Sequence, residues 1–122
     1  MLKEYENLPF RKGVGIVLLN RENKVFVAKR IDNPNNNWQM PQGGVDKNEN
    51  YFGAALRELD EETSVKKVKL IKEIENLITY ELPDHLLGLI WKGKYRGQTQ
   101  KWFILRFEGE DNDINVKTKK PE

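Results

Sequence analysis

One segment of this chain carries a helical pattern, and strand-like patterns lie on both sides of it. Asn50 is a typical N-cap residue, and the residues that follow it predict a helix over 51–63. The apolar side chains of this segment recur at three- and four-residue spacing, and they are Phe52, Leu56, Leu59 and, less strictly, Ala55. A single helix among strands favours a mixed α/β layer fold over a helix bundle or a β-sandwich.

The strand-like stretches are separated by turn-forming residues. Branched or alternating apolar residues predict strands over 13–20, 24–30, 68–82 and 100–107. We expect a turn at 21–23 and loops at 32–37 and 84–95. Proline and paired glycines exclude a helix from 38–44, and the polar stretch 110–122 reads as loop or a ragged end.

Composition excludes several classes of protein. The 122 residues are enough for one domain, which we place at 1–122. Because the chain has no cysteine, it has no disulfide, thiolate zinc site, iron–sulfur cluster or cysteine nucleophile. The single histidine, His85, argues against a Ser-His-Asp triad. No apolar run approaches the roughly 18 residues of a membrane span, and no secretion signal is evident, so a cytoplasmic protein is expected.

Charge is distributed unevenly although the net charge is only +2. Six acidic residues fall within 46–62, and basic residues dominate 66–72, 92–101 and 117–120. An acidic centre in basic surroundings suits a bound cation together with an anionic substrate. A solvated surface of mixed charge explains the same pattern.

Three carboxylates lie on one arc of the predicted helix. Glu58, Glu61 and Glu62 stand at positions i, i+3 and i+4, where Cβ atoms are about 5–6 Å apart. Their mutual repulsion calls for a compensating charge, and Mg²⁺ is a natural candidate because it prefers carboxylate oxygens and phosphates. Arg57 offers part of the compensation, and a charged solvent face is the alternative interpretation.

The stretch 43–65 resembles the Nudix box. That pattern is G, five residues, E, seven residues, R-E-U, one residue, E-E, one residue, G-U, with U an aliphatic residue, and this chain matches it through Gly43, Glu49, Arg57-Glu58, Leu59, Glu61-Glu62 and Val65. The exception is Ser64, which replaces the last glycine. A glycine after a helix usually forms an αL cap, so we expect Ser64 to cost about 1 kcal/mol of stability without removing activity.

Further segments resemble the bacterial RNA 5′-pyrophosphohydrolase or (di)nucleoside polyphosphate hydrolase branch of the Nudix superfamily. They are GVGIVLLN at 13–20, WQMPQGG at 38–44, YELP at 80–83 and GQTQKWF at 97–103. The resemblance implies the Nudix fold, a mixed β-sheet with the box helix packed against it in an α/β/α sandwich. Family members continue past the Pro121-Glu122 match through a C-terminal helix, so the resemblance implies a C-terminally truncated chain.

The resemblance also implies roles for particular residues. Glu58, Glu61 and Glu62 would hold Mg²⁺, for which Mn²⁺ or another divalent metal could substitute, with the Gly43 carbonyl and Glu122 as further ligands. Glu58 and Glu62 are both candidates for the general base, and Arg57 belongs to the catalytic set. Glu49 would lock the loop to the helix together with Arg57. The residues implied in substrate binding are Arg11, Arg30, Gln42, Tyr80 and Lys101. Trp38, Trp102 and Tyr80 are candidates for stacking on a base, although Trp102 reads better as a core residue.

Four functions follow as alternatives. The first is removal of pyrophosphate from 5′-triphosphorylated RNA, leaving a 5′-monophosphate. The second is hydrolysis of dinucleoside polyphosphates such as diadenosine tetra- or pentaphosphate, and the same residues would serve it. The third is a nucleotide-sensing module that keeps the fold without catalysis, and the fourth is a basic RNA-binding domain that needs no metal. No membrane association and no obligate protein partner are indicated.

Overall fold

The structure is a computed structural model that describes residues 6–29, 38–110 and 113–114, with the backbone alone at residues 29 and 38. The described strands are β1 (Phe10–Leu19), β2 (Ala28–Lys29), β3 (Trp38–Gln39), β4 (Gln42–Gly44), β5 (Val68–Glu73), β6 (Ile78–Glu81) and β7 (Gly97–Phe107), and helix α1 (Tyr51–Thr63) follows β4. None of the described helices has the length and apolar character needed to span a membrane.

The long strand β7 organises the main sheet. Strand β1 pairs with it in parallel over its whole length, from Phe10 opposite Gly97 to Leu19 opposite Arg106. Strand β4 pairs antiparallel with the other edge of β1. On the far side, β5 and β6 are both antiparallel to β7 and cover its C-terminal and N-terminal parts in turn. The mixed sheet with a helix on it confirms the predicted α/β class, and the described residues place one α-helix on that sheet rather than two helical layers.

Helix α1 forms the core with one face of the sheet. Three small or apolar residues of the helix are fully buried, namely Ala54, Ala55 and Leu59. They pack in one cluster with the inward residues of β1 and β7, which are Val14, Ile16, Leu18, Phe103, Leu105 and Phe107. Side chains alternate along a strand, so the intervening residues of β1 and β7 face the opposite side of the sheet.

The helix lies where the sequence predicts it, but its inward face differs from the expected apolar stripe. Phe52 and Leu56 are each 36% exposed, whereas Glu58 and Glu62 are buried. The face of α1 that is turned toward the sheet carries Ala55, Glu58, Leu59 and Glu62. The small alanine side chains allow the helix backbone to approach the strands closely. Phe52 packs only at the edge of the core, with its ring centroid 5.4 Å from that of Phe103.

The expected hairpin after β1 forms only in part. Leu19 makes an isolated antiparallel bridge with Val25, and the Phe26 N–H donates to the Leu18 carbonyl. Beyond this point, β2 pairs with β3 in a separate two-stranded sheet. The reason is that β4 already occupies the edge of β1 at Gly13–Gly15. The loop predicted at 32–37 lies outside the described residues, as does most of 110–122.

The remaining strand predictions are confirmed with shifted bounds. The stretch 68–82 divides into β5 and β6, and β7 begins three residues before the predicted start at residue 100. The loop predicted at 84–95 contains two short 3₁₀ turns, Asp84–Leu86 and Trp91–Gly93. Trp91 and Lys92 adopt left-handed φ angles of 52° and 57°, which are uncommon for residues other than glycine.

Ser64 ends the helix in the left-handed conformation. This is the conformation that we expect at this position, because the Nudix box has a capping glycine here. Its φ is 64° and its N–H donates to the Asp60 carbonyl. Ser64→Gly is expected to raise the free energy of unfolding by about 0.5–1 kcal/mol, because glycine adopts this conformation without a Cβ penalty. Urea denaturation measures the change. Ser64→Ala retains the Cβ and should bring no gain; an equal gain from alanine would contradict this explanation.

Candidate active site

Arg57 fastens the loop before α1 to the helix. Its Nε and Nη2 donate to the two carboxylate oxygens of Glu49 at 2.9 and 3.0 Å, and Nη2 also donates to the Gly44 carbonyl at 2.8 Å. Asp46 lies 3.4 Å from the same Nε. A fork-to-fork pair of this kind fixes geometry as well as charge. The structure therefore provides the lock between Glu49 and Arg57 that the sequence predicts.

The same guanidinium bridges two of the helix carboxylates. Its Nη1 donates to Glu58 Oε1 at 2.8 Å and to Glu61 Oε2 at 3.2 Å. The positive charge of Arg57 therefore offsets part of the repulsion among the three neighbouring glutamates. Arg57 consequently uses its donors on the protein itself.

Gly43 provides room for the Glu58 carboxyl group. A Cβ atom built on Gly43 would lie 2.2 Å from Glu58 Cδ and 2.3 Å from Oε2. A Cβ atom here would push the Glu58 carboxyl group aside, so the glycine lets the β4 backbone and the carboxylate meet. Glu58 and Glu62 are 8% and 5% exposed, and this burial makes both carboxylates unusual among glutamates.

A cavity of about 290 Å³ opens beside these carboxylates. It is lined by Arg11, Gln42, Gly43, Glu62, Tyr80, Trp91 and Gln98. Glu62 of α1 supplies the acidic wall of this cavity, and Arg11 and Tyr80 of the sheet together with Trp91 of the loop before β7 supply its basic and aromatic wall. The cavity brings together five of the residues that the sequence singles out, namely Arg11, Gln42, Gly43, Glu62 and Tyr80.

Arg11 is held in place from several sides. Its Nη1 donates to Gln98 Oε1 at 2.7 Å, and its guanidinium carbon lies 5.0 Å from the Trp91 ring centroid. A Cβ on Gly44 would lie 2.2 Å from Arg11 Nη2, so the glycine makes space for the guanidinium. Stacking on an aromatic ring stabilises a cation by about 0.5–2 kcal/mol. Arg11 therefore presents a fixed positive charge to the cavity.

Gln42 is fixed by a chain of side-chain hydrogen bonds. Gln100 Nε2 donates to Gln42 Oε1 at 2.9 Å, and Trp102 Nε1 donates to Gln100 Oε1 at 3.2 Å. Trp102 therefore lies behind the cavity and supports its wall. Tyr80 is 41% exposed, and burial raises the pKa of its phenol, which favours the neutral form.

Other predicted site residues lie elsewhere. Lys101 pairs with Val14 across the β1–β7 ladder and so faces the helix side of the sheet, opposite to Arg11. Its Nζ contacts Glu73 Oε1 at 3.0 Å and the Glu75 carbonyl at 3.3 Å, and it does not line the cavity. Arg30 and Glu122 lie outside the described residues, as does the Trp38 side chain.

Two residues of the cavity are absent from the sequence prediction. Gln98 joins Arg11 because the parallel ladder places them opposite each other although they are 87 positions apart. Gln98 could therefore be predicted as a cavity residue only if the pairing of β1 with β7 were known. Trp91 comes from a loop without a periodic pattern, and its left-handed backbone is the structural signal that marks it.

The oxygen donors at the acidic wall fit a small hard cation. No three carboxylate or histidine side chains in the described ranges are gathered closely enough to form a ready-made metal cage. Mg²⁺ commonly uses one or two carboxylates and takes its other ligands from water and substrate phosphates. The Glu58 carboxylate against the Gly43 backbone, with Glu62 at the cavity wall, supplies a donor set of this type.

The Arg57–Glu49 pair predicts loss of stability in acid. Hydrogen bonds from Arg57 and from the Asp46 N–H lower the pKa of Glu49 below its usual 4.5. A carboxylate with a depressed folded-state pKa stabilises the fold above its unfolded pKa, and the benefit disappears as pH falls through the folded value. Urea unfolding from pH 7 to 3 should show stability declining below about pH 4.5. Glu49→Gln should flatten this decline; an unchanged profile would contradict the assignment.

Comparison with known proteins places the chain in a family. The NUDIX domain model matches residues 9–122. The RNA pyrophosphohydrolase of Pelagibacter ubique (strain HTCC1062) is 72% identical over 116 residues, which cover 95% of this chain and 73% of that protein. The protein of the same name from Azorhizobium caulinodans is 49% identical, covering 91% of this chain and 69% of the relative.

Solved structures support the fold. The E. coli dihydroneopterin triphosphate pyrophosphohydrolase superposes with a TM-score of 0.69 at 22% identity, covering 90% of this chain and 77% of that one. The C. elegans Ap4A hydrolase superposes with a TM-score of 0.60 at 21% identity, covering 88% and 74%. At these identities the likeness concerns the fold alone. The family model and the identity to the curated relatives show that this chain belongs to the NUDIX domain family.

Proposed function

We propose that this chain is a divalent-metal-dependent hydrolase that removes pyrophosphate from the 5′ end of triphosphorylated RNA and leaves a 5′-monophosphate. The observation that carries the proposal is the cavity that Glu62 and Arg11 line together. A phosphate chain with bound cations has charges that complement both walls. The 72% identity to a relative named RNA pyrophosphohydrolase supports the same substrate.

Different groups of the protein would bind the phosphate oxygens and the metal. Arg11 is held by Gln98 and Trp91, so its fork would bind phosphate oxygens with little loss of side-chain freedom. Glu58, Glu61, Glu62 and the Gly43 carbonyl would hold the metal, for which Mg²⁺ is the natural ion and Mn²⁺ a substitute. A bound divalent ion would neutralise the bridging phosphates and make water more acidic.

Glu62 is our choice for the general base that takes the proton of the attacking water. Of the three helix glutamates, it is the residue that lines the cavity. Glu58 Oε1 instead accepts a hydrogen bond from Arg57, and its carboxyl group packs against Gly43. Arg57 would then act by positioning Glu58 and the loop at Gly44, without touching the substrate.

The aromatic side of the cavity suits the nucleoside end of an RNA. Trp91 and Tyr80 both line it, and aromatic rings stack on unpaired bases. The Tyr80 phenol also offers an O–H donor. A cytoplasmic location is part of this proposal.

Comparison of two substrates tests the proposal. A 5′-triphosphorylated oligonucleotide and diadenosine pentaphosphate are incubated separately with the protein and Mg²⁺, and kcat/KM is measured for each. We expect pyrophosphate and 5′-monophosphate RNA as products, with the higher efficiency on RNA. Absence of pyrophosphate release from RNA would overturn the proposal. Activity confined to diadenosine pentaphosphate would favour a dinucleoside polyphosphate hydrolase, and metal-independent RNA binding without hydrolysis would favour a binding domain.

A further inference from the structure

A second cavity of about 490 Å³ adjoins the first one. Arg11 lines both, and the second cavity is also lined by Phe10, Lys12, Asp46, Lys47, Glu49 and Tyr95. The two cavities are also joined through an aromatic pair, because the Tyr95 ring packs edge-on against the Trp91 ring at a centroid distance of 6.1 Å. The volume of the second cavity lies within the range of about 300–1,000 Å³ that is usual for ligand sites.

The charge of this second cavity suits an anion. Lys12 and Lys47 are exposed, and within the described part of the chain neither ammonium group forms an ion pair. The acidic residues of the cavity, Asp46 and Glu49, both lie within 3.4 Å of the Arg57 guanidinium. The Glu49 side chain is only 19% exposed and is turned toward this internal partner, whereas Asp46, Lys12 and Lys47 face solvent. Two exposed lysines and Arg11 therefore outnumber one exposed carboxylate.

Aromatic rings lie among these charges. Phe10 and Tyr95 line the cavity and are each partly buried. Single-stranded nucleic acids bind where basic groups follow the backbone and aromatic side chains stack on the bases. The combination of lysines and rings beside a phosphate-binding arginine has this character.

We propose that the second cavity binds the nucleotides that follow the 5′-terminal nucleotide of the RNA. This inference rests on the proposed function. With the triphosphate held between Glu62 and Arg11, the rest of the chain must leave the first cavity, and the shared Arg11 and the Trp91–Tyr95 pair mark the route. Lys12 and Lys47 then contact phosphodiester groups that a mononucleotide triphosphate lacks.

The test compares a long and a short substrate. Wild type and the double variant Lys12→Ala/Lys47→Ala are assayed with an eight-nucleotide 5′-triphosphate RNA and with GTP. We expect KM for the RNA to rise about tenfold at 0.1 M salt, kcat to stay within about twofold, and KM for GTP to remain unchanged. The salt slope of log Kd for the RNA should also fall by about 1.4, which corresponds to two lost contacts with a single strand.

A matched control and a binding measurement complete the experiment. Lys69→Ala/Lys72→Ala removes the same charge from exposed positions of β5 and should leave every constant unchanged. Equal effects of both double variants, an unchanged KM for RNA, or an equal rise for GTP would overturn the inference. Fluorescence anisotropy with labelled 5′-monophosphate RNA gives a separate readout. A different result is that the wild type fails to hydrolyse RNA while Lys12→Ala/Lys47→Ala still loses RNA binding. That result would overturn the proposed function but would support RNA binding in the second cavity.

Discussion

Glu62→Gln is expected to lower kcat for pyrophosphate release by about 10²–10⁴-fold, the usual contribution of a positioned general base. The amide keeps the size and shape of the carboxylate, but one acceptor oxygen becomes an NH2 donor and the side chain cannot accept the proton of water. Because Glu62 is only 5% exposed, the neutral amide should also fit without a penalty for burying charge. The melting temperature should therefore stay near that of the wild type.

Asp60→Asn is the matched control for this variant. Asp60 lies on the same helix but is partly exposed and lies outside the cavity, so the control removes one charge from α1 without touching the site. It should retain wild-type kcat. Glu58→Gln should lose activity through a weaker metal site alone, whereas Glu62→Gln removes both a metal ligand and the proposed base. If Glu58→Gln or Glu62→Gln hydrolysed RNA as fast as the parent, the catalytic assignment of that residue would be wrong.

Arg57→Ala is expected to lower the free energy of unfolding by about 2–3 kcal/mol and to reduce activity strongly. The substitution removes every hydrogen bond from Arg57 to Glu49, Glu58, Glu61 and the Gly44 carbonyl. Breaking one partner of a buried ion pair costs about 3–5 kcal/mol, and the partial exposure of Arg57 reduces this value. Urea denaturation and kcat/KM measured on the same preparation check both effects.

Arg57→Lys provides the companion variant. A lysine keeps the charge but lacks the planar fork that contacts Glu49 and Gly44 together. It should recover less than half of the lost stability and little of the activity. Full recovery by lysine would show that charge alone, rather than the fixed geometry of the loop, accounts for the role of Arg57.

Local features of the fold could be predicted from the sequence because their causes are local. The Asn50 cap, the end of α1 at Thr63 and the left-handed Ser64 depend on residues within one or two helical turns. Gly43 and Glu62 are positions of one contiguous motif, and their meeting at one site was implied by the resemblance to the Nudix box. The box therefore indicated the acidic wall of the cavity.

The other wall depends on pairings between distant segments, so its residues Arg11, Gln42 and Tyr80 were predicted only through the resemblance to the family. Arg11 meets Gln98 only through the register of β1 on β7, and the same register sends Lys101 to the opposite face of the sheet. A lysine in an alternating strand gives no sign of which face it will occupy until the register is known. Trp91 reaches the cavity through two successive left-handed residues, and no sequence rule announces such a turn.

A crystal structure with Mg²⁺ and a non-hydrolysable 5′-triphosphate RNA analogue tests the central claim most directly. We expect an ion at about 2.0–2.1 Å from oxygens of Glu58 or Glu62, phosphate oxygens within hydrogen-bond distance of Arg11, and the nucleoside near Trp91. Phosphates bound elsewhere, or these carboxylates turned away with no ion beside them, would contradict it.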